Sequence, residues 1–202
     1  LGREILPRID GKCNRKLFGN TNANWYVAVD LLSANSIIYS AGVGEDISFD
    51  LALINHLGGT VHAFDPTPKS ISWVRQQTLP KQFILHEVGI ADVDGQLAFS
   101  PPVEINHVSH RIVTTGSASE SLLQLPVKRL SSIMKEMDHD RIDVLKMDIE
   151  GAEYGVIEDM TLSNIRPQQI LVEFHHRFPG IGIQQTKKAI QTLRSIGYAL
   201  FA

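Results

Sequence analysis

The sequence predicts an α/β fold built on a doubly wound, mostly parallel sheet. Three observations carry that prediction. Short apolar, β-branched runs recur with little apolar–polar alternation, as strands covered on both faces do. Helix-length stretches separate them, which makes repeated β-α units. Of 202 residues, 43% are hydrophobic and 20% charged, enough to build one sizeable core and too little charge for wholesale disorder.

Residues 1–24 have weak periodicity and several basic side chains. They are read as an N-terminal arm leading into one domain over 25–202. Ile37–Ala41 is a buried first strand, broken by Gly42-Val43-Gly44. Glu45–His56 carries Ile47, Leu51 and Ile54 with Phe49 and Leu53 beside them, a helical stripe that Gly58-Gly59 closes. Thr60–Phe64 is the second strand. Thr67-Pro68 reads as an N-cap with proline at the first helical position, and that helix runs toward Pro80. Phe83–Val88 is the third strand. Asp94-Gly95 is a turn signal before Gln96–Phe99, which predicts a hairpin-like extension. Residues 101–121 form a connection too long for an ordinary link. Their polar Ser/Thr/Gly content and His107, Ser109 and His110 suit a mobile loop over a substrate. Ser131–Met137 is a short helix, Ile142–Met147 the fourth strand, Ala152–Met160 a helix and Gln169–Phe174 the fifth strand. Ile183–Ile196 is a helix capped by Gly197, and Tyr198–Phe201 a sixth strand.

Nineteen Lys and Arg against 22 Asp and Glu give a net charge of −3. A nucleic-acid binder working through a broad basic surface is thereby excluded, so no nucleic acid is expected as a partner. One cysteine, Cys13, excludes an internal disulfide framework and a cysteine zinc site. No stretch is apolar over the length of a membrane-spanning helix. The sequence begins at Leu1, so an upstream targeting segment would not be visible; the cytoplasm stands only as the default location. Nothing in the sequence fixes an oligomeric state.

In an open parallel sheet, ligands sit beyond the carboxyl ends of the strands. Five such positions stand out, rich in acids and lacking a phosphate-binding Lys or Arg. Gly42-Val43-Gly44-Glu45-Asp46 lets the backbone turn tightly against a ligand. A dinucleotide fingerprint would place a third glycine where Ile47 stands, and the acids suit a cationic ligand group better than a pyrophosphate. Asp65 follows Gly44 by 21 residues, the spacing of an acid that accepts both ribose hydroxyls of a nucleoside; capping the Thr67-Pro68 helix is the plainer alternative. Gly89, Ala91 and Asp92 lie where an adenine could rest on small residues, with Asp92 accepting from its amino group. Asp148 and Glu150 alternate by two after the fourth strand, so they point the same way if strand geometry persists; they suit a base, a hydroxyl acceptor or a metal. Helix capping is the alternative for Glu150 and Glu153. Glu173 and His175 alternate after the fifth strand, and a histidine near its neutral pKa beside a carboxylate is a natural general base. With Asp148 they could also gather a divalent ion, but such a ligand set is not diagnostic and no metal ligand is assigned.

These segments resemble the class I S-adenosylmethionine-dependent methyltransferases, and most closely the FkbM family. The match lies in Tyr39-Ser40-Ala41-Gly42-Val43-Gly44-Glu45-Asp46, Ala63-Phe64-Asp65-Pro66, Gly89-Ile90-Ala91-Asp92 and Lys146-Met147-Asp148-Ile149-Glu150-Gly151-Ala152-Glu153, with Val172-Glu173-Phe174-His175 continuing it. The resemblance implies a Rossmann-like fold, S-adenosyl-L-methionine as cofactor, and methyl transfer to a hydroxyl of a small-molecule or glycan acceptor. It places Gly42, Gly44 and Glu45 near the methionine part, Asp65 at the ribose, Gly89, Ala91 and Asp92 near the adenine, and Asp148 at the sulfonium or the acceptor. Asp148, Glu173 and His175 are then the catalytic candidates, with His107, Ser109, His110 and Glu150 on the acceptor side. Many relatives carry an acid where this chain has Ser40. Many also add a last antiparallel strand, which a chain stopping at Ala202 would lack. A non-catalytic nucleoside-binding module of the same fold is the alternative function, separated by assaying methyl transfer to hydroxylated acceptors.

Overall fold

The computed structural model describes residues 7–100 and 122–202, and the backbone of 111–112. Its centre is a five-stranded parallel sheet in the spatial order Gln169–Val172, Val144–Met147, Ile37–Ala41, Thr60–Phe64, Phe83–His86. The chain enters at β3 (Ile37–Ala41) and steps outward through β4 (Thr60–Phe64) to β5 (Phe83–His86). It then crosses to the other side of β3, laying down β10 (Val144–Met147) and β11 (Gln169–Val172). Strand order therefore reverses between β3 and β10, the point where this topology leaves a crevice. This is the Rossmann-like α/β architecture that the sequence pattern predicts.

Side-chain alternation divides the core between the two faces. Ile38, Val61, Ala63 and Val144 pack with Phe49, Leu53 and Ile54 of α1 (Ser48–Leu57). Tyr39, Phe64, Leu145 and Met147 pack with Ile133 of α3 (Leu130–Glu136), Val156, Ile157 and Met160 of α4 (Glu153–Leu162), and Ala189 of α5 (Ile183–Ser195). The helix after β4, α2 (Pro68–Val74), is shorter than predicted. Helix α1 starts at Ser48 rather than Glu45, because Asp46 Oδ1 accepts the Ser48 N–H at 2.8 Å and holds the preceding residues in a turn. It ends as predicted: Gly58 is left-handed at φ 72° and its N–H closes on the Ile54 carbonyl.

Several expectations are corrected. Part of the predicted arm is a strand: β1 (Arg15–Phe18) pairs antiparallel with β2 (Trp25–Ala28), and Phe18 is buried in the core. The third strand stops at His86. Gly89–Ile90 (β6) then leaves for a second sheet of order β6-β9-β7-β8, with β7 at Gly95–Ser100, β8 at Arg111–Ile112 and β9 at Leu123–Lys128. Turning at Asp94-Gly95 thus delivers β7 to the distant β9, not back to the third strand. Tyr198–Phe201 is not a strand: the Leu200 carbonyl accepts from the Asp10 and Gly11 N–H groups instead. The remaining candidate-loop residues, 101–110 and 113–121, lie outside the described residues. Among those described, no helix is long and apolar enough to cross a membrane.

On the α3–α4 face, His62 Nδ1 lies 3.1 Å from His86 Nε2, and the His139 ring stands edge-on to His62 at 4.9 Å. Burial pushes His62 down to about 4, helped by repulsion from His139 and His86. Folded His62 therefore stays neutral where the unfolded chain, at an ordinary pKa near 6.5, takes up a proton. Stability should be complete above pH 6.5 and fall as pH drops toward about 4. Thermal melts across that window should show the loss, and His62→Gln should flatten it. Equal pH slopes in the two proteins would remove His62 as the cause.

Candidate active site

The parallel strands end in register, so the residues just beyond them form one row. Ala41 pairs with Phe64 on one side and Met147 on the other, and Met147 pairs with Val172. Gly42, Asp65, Asp148 and Glu173 follow directly. Each ties back to its neighbour: the Gly42 N–H donates to the Phe64 carbonyl, that of Asp148 to Ala41, and that of Glu173 to Met147, each at 3.0 Å.

Gly42 is demanded by close approach. Its φ is +79°, and a Cβ there would stand 1.7 Å from the Asp148 carbonyl oxygen. Gly44, at φ +60°, faces open space. Asp65, 5% exposed, braces this turn. Its Oδ2 accepts the Val43 and Gly44 N–H groups at 3.0 Å, and its Oδ1 accepts the Thr67 N–H at 2.9 Å and the Thr67 hydroxyl at 2.6 Å. From below, the buried Lys146 ammonium donates to the Ala41 and Gly42 carbonyls and sits 5.4 Å over the Trp25 ring. Asp50 of α1 is buried nearby. Desolvation lifts its pKa to about 6, against the pull of Lys146 and Ser40. Ser40 therefore belongs to this buried polar pocket under the glycine turn. Sequence reasoning gave neither Lys146 nor Asp50 a role. The available signal was a lysine inside an otherwise apolar central strand, in register with Ser40.

The second half of the site surrounds His175. Strand geometry does not persist past Met147: Glu150 is left-handed at φ 53° and Gly151 follows at φ 104°. The turn nevertheless returns Glu150 to the same imidazole as Asp148. His175 Nε2 lies 3.6 Å from Asp148 Oδ1 and 3.5 Å from Glu150 Oε2. His175 Nδ1 lies 2.7 Å from Glu153 Oε1, a carboxylate with no exposure that also accepts the Ile149 and Gly151 N–H groups. Glu153 is thus an internal anchor as well as a helix-start acid. Burial alone would lower the His175 pKa, but the hydrogen bond and charge of Glu153, joined by Glu150 and Asp148, carry it up to about 9. Where the sequence suggests a histidine near its neutral pKa, these carboxylates favour the protonated imidazole. Glu173 titrates above its ordinary range through desolvation and the charge of Asp148.

Gly42, Gly44, Asp65, Gly89, Asp148 and Glu150 all line one cavity, with Phe64, Thr67, Ser70 and Phe99. Glu173 and His175 adjoin it through Asp148. Three predicted cofactor residues do not line it. Ala91 is buried in the second sheet's small core, Asp92 lies against Gly155 of α4, and Glu45 turns to Lys69 at 3.4 Å. His107, Ser109 and His110 lie outside the described residues.

The chain is similar in sequence to proteins named as methyltransferases. The chain is 29% identical over 156 residues to the human protein named "Probable methyltransferase-like protein 24", covering 76% of this chain and 36% of that protein. Its rat counterpart matches at 28% over the same shares. The hexuronic acid methyltransferase AglP of Haloferax volcanii is 25% identical over 137 residues, which is 66% of this chain and 54% of that protein. The chain thus spans between about a third and a half of the length of these relatives. No solved structure matches it significantly. The model of the methyltransferase FkbM domain matches residues 37–200, which begin at β3 and take in the whole row of strand ends, and on that match the chain belongs to the FkbM methyltransferase domain family.

Proposed function

We propose that this domain transfers a methyl group from S-adenosyl-L-methionine to a hydroxyl of a small molecule or sugar. The observation that carries the reading is the convergence of the Gly42 turn, Asp65 and Asp148 on one cavity at the point where strand order reverses. The residues fit such a donor. A turn without side chains at Gly42 and Gly44 admits close approach, Asp65 offers carboxylate oxygens for a ribose, and the acidic mouth favours a positive sulfonium. The donor supplies a methyl carbon already activated for attack. The chain's own work is to align acceptor oxygen with that carbon and to provide for one proton. His175, anchored by Glu153, fixes Asp148 at the mouth, and Asp148 receives or orients the acceptor hydroxyl. A relative named as a hexuronic acid methyltransferase supports a sugar-like acceptor.

All the lone-pair sites of the Asp65 carboxylate, about four, are engaged by Val43, Gly44 and Thr67. A ribose hydroxyl must therefore displace one partner. The Thr67 hydroxyl is the one with an alternative, since Ser70 Oγ lies 2.8 Å away. Calorimetry should show micromolar binding of S-adenosylmethionine or its demethylated product, with little affinity for NAD. Asp65→Ala should weaken that binding by about 1.5–3 kcal/mol, the loss expected for hydrogen bonds to a charged acceptor. Tight NAD binding without response to the sulfonium compound would overturn the function. Unchanged affinity in Asp65→Ala would leave Asp65 as a brace of the turn alone.

A further inference from the structure

Beneath the glycine turn lie two buried charges of opposite sign that the proposed reaction leaves idle. Lys146 and Ser40 stand in register on β10 and β3, on the side of the sheet that Ile38 and Val144 give to α1. The buried Lys146 ammonium donates to the Ala41 and Gly42 carbonyls, so it sits one peptide group below the cavity that Gly42 lines. Asp50 of α1 is 3% exposed, and its Oδ1 has no hydrogen-bond partner among the described residues. A buried carboxylate oxygen left unpaired is costly, so its presence calls for a cause.

The charges around Asp50 are few. Lys146 attracts its carboxylate and Asp46 repels it, and Asp46 is itself held by the Ser48 and Asn20 N–H groups. The side chains packed on this face from the other elements are uncharged: Phe18 of β1, Trp25 of β2, Val61 and Ala63 of β4, and Phe83 of β5. The net charge under the turn therefore follows the proton on Asp50. Ionised, Asp50 offsets Lys146; protonated, it leaves the ammonium uncompensated. Desolvation, only partly countered by Lys146, puts that change at about pH 6.

We propose that Asp50, through its charge, sets the preference of the site for the sulfonium donor over the neutral thioether product. The proposal rests on the methyl-transfer reading. Donor and product share the adenosine and the amino-acid end, and differ by one methyl group and the positive charge on sulfur. An uncompensated ammonium below Gly42 repels the sulfonium and leaves the thioether alone. A unit charge acting over about 10 Å at an effective dielectric of about 20 changes affinity on the order of tenfold. Above about pH 6 the donor is preferred and the product is the weaker competitor; below it that preference is lost. Reciprocally, a donor that favours ionised Asp50 must draw its titration down by about one pH unit for a tenfold preference. Asp50 is not among the residues that line the cavity, so it tunes the site's specificity without touching the donor.

The test measures S-adenosylmethionine and its demethylated product by calorimetry on the whole chain, between pH 5 and pH 8. The ratio of their affinities should fall about tenfold as pH drops through about 6. His62 titrates on the opposite face of the sheet and does not enter this balance. Asp50→Asn, which has no charge to lose, should keep the low ratio at every pH, with melting curves to establish that it folds. A second readout needs no variant. The Asp50 carboxyl carbon, followed by nuclear magnetic resonance, should titrate near pH 6 in the free protein. It should titrate about one pH unit lower with the donor bound, and not with the thioether. A ratio constant over pH, one that falls as far in Asp50→Asn, or a titration moved equally by both compounds overturns the proposal. In those cases binding of both compounds leaves the methyl-transfer reading standing. Binding of neither compound overturns that reading and the proposal with it.

Discussion

Asp148→Asn is expected to lower turnover by roughly 10²–10⁴, the usual worth of a group that takes or orients a proton. Asp148 follows β10 directly, and its backbone N–H is fixed to the Ala41 carbonyl at 3.0 Å, so its Cα is held at the cavity that the residue lines. On the other side, His175 Nε2 stands 3.6 Å from the carboxylate. Asparagine keeps that shape and removes the charge, whether the charge takes the acceptor's proton or orients it. Donor affinity should change much less, because in the proposed function the Gly42–Gly44 turn and Asp65 supply most of the donor contacts. Steady-state kinetics with a hydroxylated acceptor, together with calorimetry on the same variant, separates the cases. A parallel fall in affinity would assign Asp148 to the donor instead. No change in either quantity would make it structural and overturn its catalytic assignment.

Gly42→Ala should cost about 3–5 kcal/mol, at or above the top of the usual range of roughly 0.5–3 kcal/mol for single substitutions, because strain at a special backbone conformation is one of the causes of unusually large losses. The added Cβ would meet the Asp148 carbonyl oxygen at 1.7 Å and its carbon at 2.7 Å. Both are backbone atoms, so no side chain can swing aside. The left-handed conformation adds roughly 1–2 kcal/mol of its own for a residue with a side chain. Relief requires the ends of β3 and β10 to part, and with them the row that holds Asp65 and Asp148. The melting temperature should fall on the order of 10 °C, and donor binding should be lost. Gly44→Ala is the matched control. It shares the positive φ but has nothing within 4 Å, so it should lose only the conformational part. Equal stability of the two variants would show that the approach of Asp148 to Gly42 is not tight.

By itself the sequence determined the β-α alternation, the strands at Ile37–Ala41 and Thr60–Phe64, the cap at Gly58 and which residues follow the strand ends around the cavity. These are local properties. Burial on two faces makes continuous apolar runs, a helix makes a stripe, and a glycine marks a turn wherever it stands. Gly42, Gly44, Asp65 and Asp148 were legible for that reason: parallel strands in register bring their ends to one level whatever the details of packing. The tertiary structure alone decided what depends on partners far along the chain. Gly89 pairs with Val127, which builds a second sheet that no local pattern in β6 announces. Asp92 lies against Gly155 and Glu45 pairs with Lys69, and neither is among the residues that line the cavity. Tyr198–Phe201 has strand-like composition but gives its carbonyl to Asp10 and Gly11 rather than to the sheet. Most of all, the charge on His175 is set by Glu153, 22 residues earlier and fully buried, with Glu150 and Asp148 beside it. A residue's type gives its ordinary pKa, but the working value comes from which charges the fold carries to within a few ångströms in a place that water does not screen.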